Sequence, residues 1–434
     1  MKILRYDDPD FSSELRRLQR RAEPQPEVEA TVREILAAVR ERGDAALLEY
    51  GERFGGPRLS AGELRVTASS APSAARGALE AAHANVRAFA ERSLRESWTM
   101  QNAQGAIVGE RFDPFQRVGI YVPGGTAPLV STAIMTCTLA QAAGCPQIVV
   151  TTPSGPDGQI NAALLEALHL SGATEIYQVG GAQAIAALAF GTETIRPVQK
   201  IFGPGNAYVV EAKRQVFGPV AIDLLPGPSE ILVLADETAD AAFVAADLLA
   251  QAEHGKGSLM LFVTDSEWLL EQVERCIAAQ LGALSRQEHL AGVLEHGATL
   301  VLVRSLSEGV TIANEFAPEH LSIVAAEQET LGARIQTAGA IFLGRYSPVA
   351  VGDFLAGPSH TLPTGGAGRS FPGLTVEMFQ RRTSIVQLDE EALKKSVPTV
   401  AAFAALEGLD AHGRSAMIRL GLRNAVPDEP ARPD

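Results

Sequence analysis

A chain of 434 residues, 46% of them apolar, is long enough for two or more domains and can supply a large buried core. Its formal net charge of −14 argues against a nucleic-acid or anionic-membrane partner. No apolar run reaches the length of a membrane span, and three cysteines do not make a disulfide framework. The opening MKILRYDDPDF carries charge but no apolar signal core, so a cytoplasmic protein is expected.

To about Trp98, charged helical patterns alternate with short turns. From Val118 onward, VGIYVP, PQIVVTT, TEIYQVG, KIFGPG, EILVLAD, SLMLFVT and TLVLVR read as buried strands. Helical stretches such as STAIMTCTLAQAAG and NAYVVEAKRQVFG lie between them, an alternation that predicts parallel sheets covered by helices in two α/β units. No complete GxGxxG dinucleotide motif follows any of these strands. Gly203-Pro-Gly205-Asn206-Ala-Tyr208 comes nearest, with Tyr208 in place of the third glycine. Cys145, between Gly144 and a strand-like run, reads as a packed core thiol. The tail PDEPARPD is Pro-rich and charged and predicts disorder.

Four segments carry chemistry. AAFVAADLLAQAEHG reads as a helix stopped by Gly255, with Gln251 and His254 on one face of its last turn. An amide oxygen beside an imidazole is half of a site for a borderline metal ion, or else a helix end whose His complements the dipole. Glu319-His320 follows a proline turn ahead of LSIVAA, and its two side chains are not expected both to point into a core. One group suits proton transfer and the other the handling of water. A surface Glu-His pair is the plainer alternative. Gly352-Asp353 and Gly357-Pro358-Ser359-His360 offer a carboxylate and an imidazole on a Gly/Pro-rich loop, though an Asp after Gly also forms turns. Glu407-Gly408-Leu409-Asp410-Ala411-His412 is the fourth. His83, His169, His289 and His296 sit in ordinary contexts.

Together with Tyr121-Val-Pro123-Gly124-Gly125, Gly181-Ala-Gln183-Ala, Gly203-Pro-Gly205-Asn206 and Gly227-Pro-Ser229-Glu230, these segments closely resemble the histidinol dehydrogenase family, from about residue 25 into the C-terminal region. The resemblance implies a four-electron, NAD-linked oxidation of L-histidinol to L-histidine through bound L-histidinaldehyde, the last steps of histidine biosynthesis. It implies one zinc ion per subunit on Gln251, His254, Asp353 and His412, with His320 and Glu319 as bases. Ser229, His360 and Glu407 then match substrate-contacting positions, beside Gln251, His254, His320, Asp353 and His412, and Tyr121, Gln183 and Asn206 match NAD-contacting ones. The implied fold has two incomplete Rossmann-like domains: one discontinuous over 25–121 and 230–374, the other inserted at 122–229. An N-terminal arm (1–24) and a C-terminal helical extension (375–434) complete an intertwined homodimer with shared active sites. Related enzymes oxidise other primary alcohols to carboxylates, and Glu407 with His412 favours histidinol. A non-catalytic metal-binding protein is the alternative from another class, disfavoured by Glu319-His320 beside the four metal ligands the resemblance implies.

Overall fold

The computed structural model describes residues 1–18, 25–67, 73–124, 128–155 and 157–422; Gly125 and the tail PDEPARPD lie outside the described residues. All seven apolar runs are strands, and they divide between two six-stranded sheets. The first sheet has the order Arg65–Val66, Glu175–Tyr177, Gln147–Thr151, Arg117–Tyr121, Lys200–Phe202, Ala221–Ile222. It is parallel apart from its antiparallel edge at Arg65–Val66. The second is parallel throughout, in the order Lys2–Arg5, Ala298–Leu302, Leu259–Thr264, Glu230–Ala235, His320–Val324, Ala340–Leu343.

In each sheet five strands start at the centre, run outward on one side, then return to the other side. That doubly wound order leaves a crevice where the direction reverses. Central strands are covered by helices on both faces, which is why EILVLA is buried at all six positions and shows no polar alternation. Among the described residues, no helix is long and apolar enough to cross a membrane.

Sheet membership divides the chain differently from the expected boundaries. Lys2–Arg5, in the expected arm, is an edge strand of the second sheet, paired in register with Thr299–Leu302. Residues 25–67 and 73–94 and the strand Arg117–Tyr121, expected beside 230–374, belong instead with the first sheet. Val32, Ile35 and Leu47 share a core with Val149, Ile185 and Ile201, and Val86 packs with Ile120 and Val150. The physical reason is burial. The helices Pro26–Arg42 and Arg76–Ser93 each carry one apolar stripe, which is covered by helices flanking the first sheet: Pro26–Arg42 packs on Gly181–Phe190 and Ala207–Val216, and Arg76–Ser93 on Val130–Ala142.

The second compact unit comprises residues 95–114 and 380–434. In it, the antiparallel strands Trp98–Gln101, Ile107–Pro114 and Gln380–Gln387 form a small sheet, and the helices Glu390–Glu407 and Asp410–Met417 pack on one another. Residues 95–114 therefore join the C-terminal extension, because their hairpin finds its third strand there.

Candidate active site

The functional side chains of the second sheet gather at the amino ends of its neighbouring strands Glu230–Ala235 and His320–Val324. The helix Leu306–Phe316 ends on Ala317, a left-handed residue at φ 53° whose N–H still bonds Ala313. Pro318 then forbids further helix, and the chain enters the strand extended at Glu319. Parallel pairing sets Ile231 opposite His320, so Glu319-His320 lies alongside Ser229-Glu230.

The main chain of one residue, Glu230, holds both catalytic candidates. The Glu230 N–H donates to Glu319 Oε2 at 2.8 Å, and the Ser229 hydroxyl donates to the same oxygen. The Glu230 carbonyl lies 3.0 Å from His320 Nδ1. A carbonyl can only accept, so Nδ1 carries the proton, and Nε2 is the atom free to exchange one. Nε2 faces Asp353 Oδ1 at 3.4 Å. Contrary to expectation, both side chains are interior: Glu319 is 7% exposed and His320 2%. Main-chain and hydroxyl donors replace water there, so the pair tolerates burial.

Electrostatics follow from that burial. Desolvation pushes the Glu319 carboxyl above its ordinary range. For His320 desolvation acts downward, but the Glu319 charge and Asp353 outweigh it and the imidazole is raised to about 9. Glu230 is held up to about 7, chiefly by burial and also by the Glu319 charge. One of its oxygens accepts from Gly365 N–H at 2.9 Å, and the other is buried without a partner.

The helix Ala241–Ala252, capped by Asp240, ends two residues before His254. His254 therefore sits just past the last turn, its N–H on the Gln251 carbonyl at 3.2 Å, and Gly255 at φ 100° turns the chain away. Gln251 is 3% exposed and its amide nitrogen has no partner. Asp353 comes from the short helix Val349–Phe354. Burial opposes its ionisation, yet its carboxyl is lowered by His320, then by His360 and His254. Three imidazoles thus act on one carboxylate. His360 donates its N–H to Met135 Sδ at 3.3 Å and leaves Nε2 buried and unpartnered. An amide oxygen, a carboxylate and an imidazole are ligand types a borderline divalent ion accepts, and Gln251, Asp353 and His254 supply them here. Among the described residues, no three His, Cys, Asp or Glu side chains stand close enough to hold a metal by themselves.

Glu407 and His412 belong to the second unit. Gly408, left-handed at φ 67°, ends the helix Glu390–Glu407, and His412 lies on the next helix; both side-chain positions are exposed.

Tyr121, Gln183 and Asn206 lie at the carboxyl ends of the first sheet's strands, around its crevice. The Tyr121 hydroxyl accepts from Gly181 N–H at 3.2 Å. The Gln183 amide oxygen is buried without a partner. Asn206 Oδ1 accepts from the Tyr208 and Val209 N–H groups, both at 3.1 Å, and so caps the helix Ala207–Val216. Gly203 takes φ 107°, and a Cβ there would lie 2.1 Å from the Tyr121 carbonyl oxygen, so only glycine fits. Cys145 is a packed thiol, pushed to about 12 by burial.

Sequence reasoning gave no role to Glu230, Gly365, Lys213 or Asp223. Glu230 stood inside the quoted Gly227-Pro-Ser229-Glu230, but as the first residue of an apolar run it carried no separate signal.

The histidinol dehydrogenase family model matches residues 18–420. A histidinol dehydrogenase of Geobacillus kaustophilus is 48% identical over 397 residues, covering 90% of this chain and 93% of its own length. That of Syntrophotalea carbinolica is 42% identical over 97% of this chain and 99% of its own. The crystal structure of histidinol dehydrogenase from Elizabethkingia anophelis superposes with a TM-score of 0.91 at 33% identity, covering 97% of this chain and 98% of that one. An acetylating aldehyde dehydrogenase from Geobacillus thermoglucosidasius, at 15% identity, TM-score 0.51 and coverage of 88% and 99%, shares the fold alone. With a match that runs through both sheets and into the C-terminal helices, the chain belongs to the histidinol dehydrogenase family.

Proposed function

We propose that this protein oxidises L-histidinol to L-histidine in two hydride transfers, with two NAD⁺ and one water consumed and L-histidinaldehyde held between them. The observation that carries the reading is the Glu319–His320 pair, bound through the N–H and carbonyl of one residue, Glu230, and facing Asp353. Family membership supplies the substrate.

In the first transfer the neutral form of His320 takes the alcohol proton at Nε2 as hydride leaves the carbinol carbon. Its Nδ1–H stays on the Glu230 carbonyl, so the ring orientation survives the change of charge. Water then adds to the aldehyde carbon while Glu319 takes a proton from it. Burial keeps the Glu319 carboxyl basic enough for that task. As the hydrate carbon gives up the second hydride, His320, having passed its first proton to solvent, takes a hydroxyl proton, and the acid so formed leaves as carboxylate with its last proton going to water. Gln251, His254, Asp353 and His412 would hold one zinc ion per subunit, and the charge of Asp353 acting on His254 beside the buried Gln251 amide supports that assignment. Zinc, when bound, supplies a Lewis-acid anchor that orients the substrate's nitrogens. Ser229, His360 and Glu407 contact substrate in this reading; Glu407 accepts from the imidazole N–H, which selects histidinol over plain aliphatic alcohols. Tyr121, Gln183 and Asn206 contact NAD at the first sheet's crevice. The enzyme works in the cytoplasm as a homodimer whose C-terminal extensions complete each other's sites.

The test is NADH formation from L-histidinol compared with other amino alcohols. Two equivalents of NADH per histidinol, with at least about tenfold preference over aliphatic amino alcohols, is the expected result. Equal rates across the alcohols would favour a broader alcohol dehydrogenase, and no NADH from any of them would favour a non-catalytic protein.

A further inference from the structure

Lys213 and Asp223 form an ion pair with both side chains fully buried. Each partner makes a second bond, and both bonds go to one residue. Asp223 Oδ2 accepts from the Gly203 N–H at 2.8 Å. Lys213 Nζ donates to the Gly203 carbonyl at 2.8 Å. The pair therefore clamps Gly203 from both sides. It also ties three elements together: the helix Ala207–Val216, the end of the strand Ala221–Ile222, and the turn after Lys200–Phe202.

Stability does not account for such a pair. Burying two charges is expensive, and apolar residues of the same size commonly serve as well. What the pair does uniquely is bind both peptide groups of a glycine at φ 107°, pressed against the carbonyl of Tyr121. A turn that tight would otherwise leave a buried N–H and C=O unsatisfied. The turn lies where the first sheet's strand order reverses, between Arg117–Tyr121 and Lys200–Phe202, and it delivers Asn206 to the start of its helix. The third glycine of a dinucleotide motif is replaced here by Tyr208, so the turn lacks the usual glycine spacing and needs another means of holding its shape.

We infer that the Lys213–Asp223 pair is the positioning device that fixes the Gly203–Asn206 turn for close approach of an anionic dinucleotide. The inference rests on the reading of this crevice as the NAD site. Lys213 points inward to the Gly203 carbonyl, so neither partner touches the ligand; they act through the backbone between them.

The experiment compares the wild type with Asp223→Asn and with the double variant Lys213→Met/Asp223→Leu, measuring NAD⁺ binding and L-histidinol binding separately by calorimetry. Asp223→Asn keeps the size of the side chain but leaves only one acceptor oxygen for two donors. In both variants the NAD⁺ Kd should rise about tenfold or more, with histidinol Kd within about twofold and kcat at saturating NAD⁺ within about threefold. A folded double variant with wild-type NAD⁺ affinity overturns the inference while leaving the NAD reading intact. A wild type that binds histidinol but no NAD⁺ overturns both. Should neither variant fold, hydrogen exchange on the wild type decides: NAD⁺ should protect the amides of residues 203–209, and unchanged exchange there overturns the inference.

Discussion

Replacing Glu230 with Gln should make the protein more stable in mild alkali and leave it no more stable in mild acid. The Glu230 side chain is 4% exposed, with one oxygen on Gly365 N–H and the other unpartnered. Burial, reinforced by the Glu319 charge, holds its carboxyl at about 7 instead of 4.5. A carboxyl raised on folding keeps its proton longer in the folded state than in the unfolded one. Its contribution to stability is therefore lost as pH rises from about 4.5 through 7, and above that the penalty levels off at about 3 kcal/mol. Gln has no charge to bury and retains an oxygen for Gly365. Its amide N–H inherits the unpartnered position, which costs about 1–2 kcal/mol at every pH. The net gain should be about 1–2 kcal/mol at pH 8, a rise of a few degrees in Tm, turning into a small loss at pH 5. Thermal unfolding of both proteins at the two pH values measures this. A difference of equal size and sign at pH 5 and pH 8 would refute the reasoning, because only a buried charge makes it depend on pH.

Glu319→Gln should slow oxidation of supplied histidinaldehyde by about 10²- to 10⁴-fold and oxidation of histidinol to the aldehyde much less, whereas His320→Asn should impair both; equal losses on the two substrates for Glu319→Gln would remove the division of labour. His254→Ala should lower bound zinc and turnover together, as read by metal analysis of the purified protein, and full zinc content with normal turnover counts against His254 as a ligand. Mixing His412→Asn with Asp353→Asn chains by co-refolding should recover about a quarter of wild-type activity, since half the randomly formed dimers are mixed and each has one intact site; no recovery, with mixed dimers demonstrated, rules out a site shared between subunits.

The sequence made the interior strands plain and their company obscure. EILVLA and SLMLFVT are apolar runs that could be little else, because parallel strands covered on both faces need no polar positions. Lys2–Arg5 could not be assigned from its four residues, since its partner Thr299–Leu302 lies nearly three hundred positions away and only the paired register reveals it. Gln380–Gln387 reads as polar surface, because its strand pairs with Ile107–Pro114 through main-chain bonds while most of its side chains stay exposed. At the site, residue types were legible and their support was not. Glu319-His320 stood out as a polar pair, but its burial depends on the Glu230 peptide and the Ser229 hydroxyl, and adjacency of two strands is a tertiary fact. Lys213 and Asp223 looked like ordinary helix and loop charges; only folding shows that both turn inward onto Gly203.

That main-chain support has a consequence for mutational tolerance. The Glu230 N–H and carbonyl that hold Glu319 and His320 belong to a central strand, and no replacement at residue 230 other than proline deletes either of them. A library randomised there can alter charge and volume but, proline aside, cannot directly unhook either base. Loosening them requires separating the strand Glu230–Ala235 from His320–Val324, which are bonded from Ile231 to Ala235. Opening of that kind approaches the free energy of unfolding the whole unit. The bases should therefore stay aligned in partly destabilised variants until the protein itself is lost, so activity per folded molecule should hold steady while the folded fraction falls.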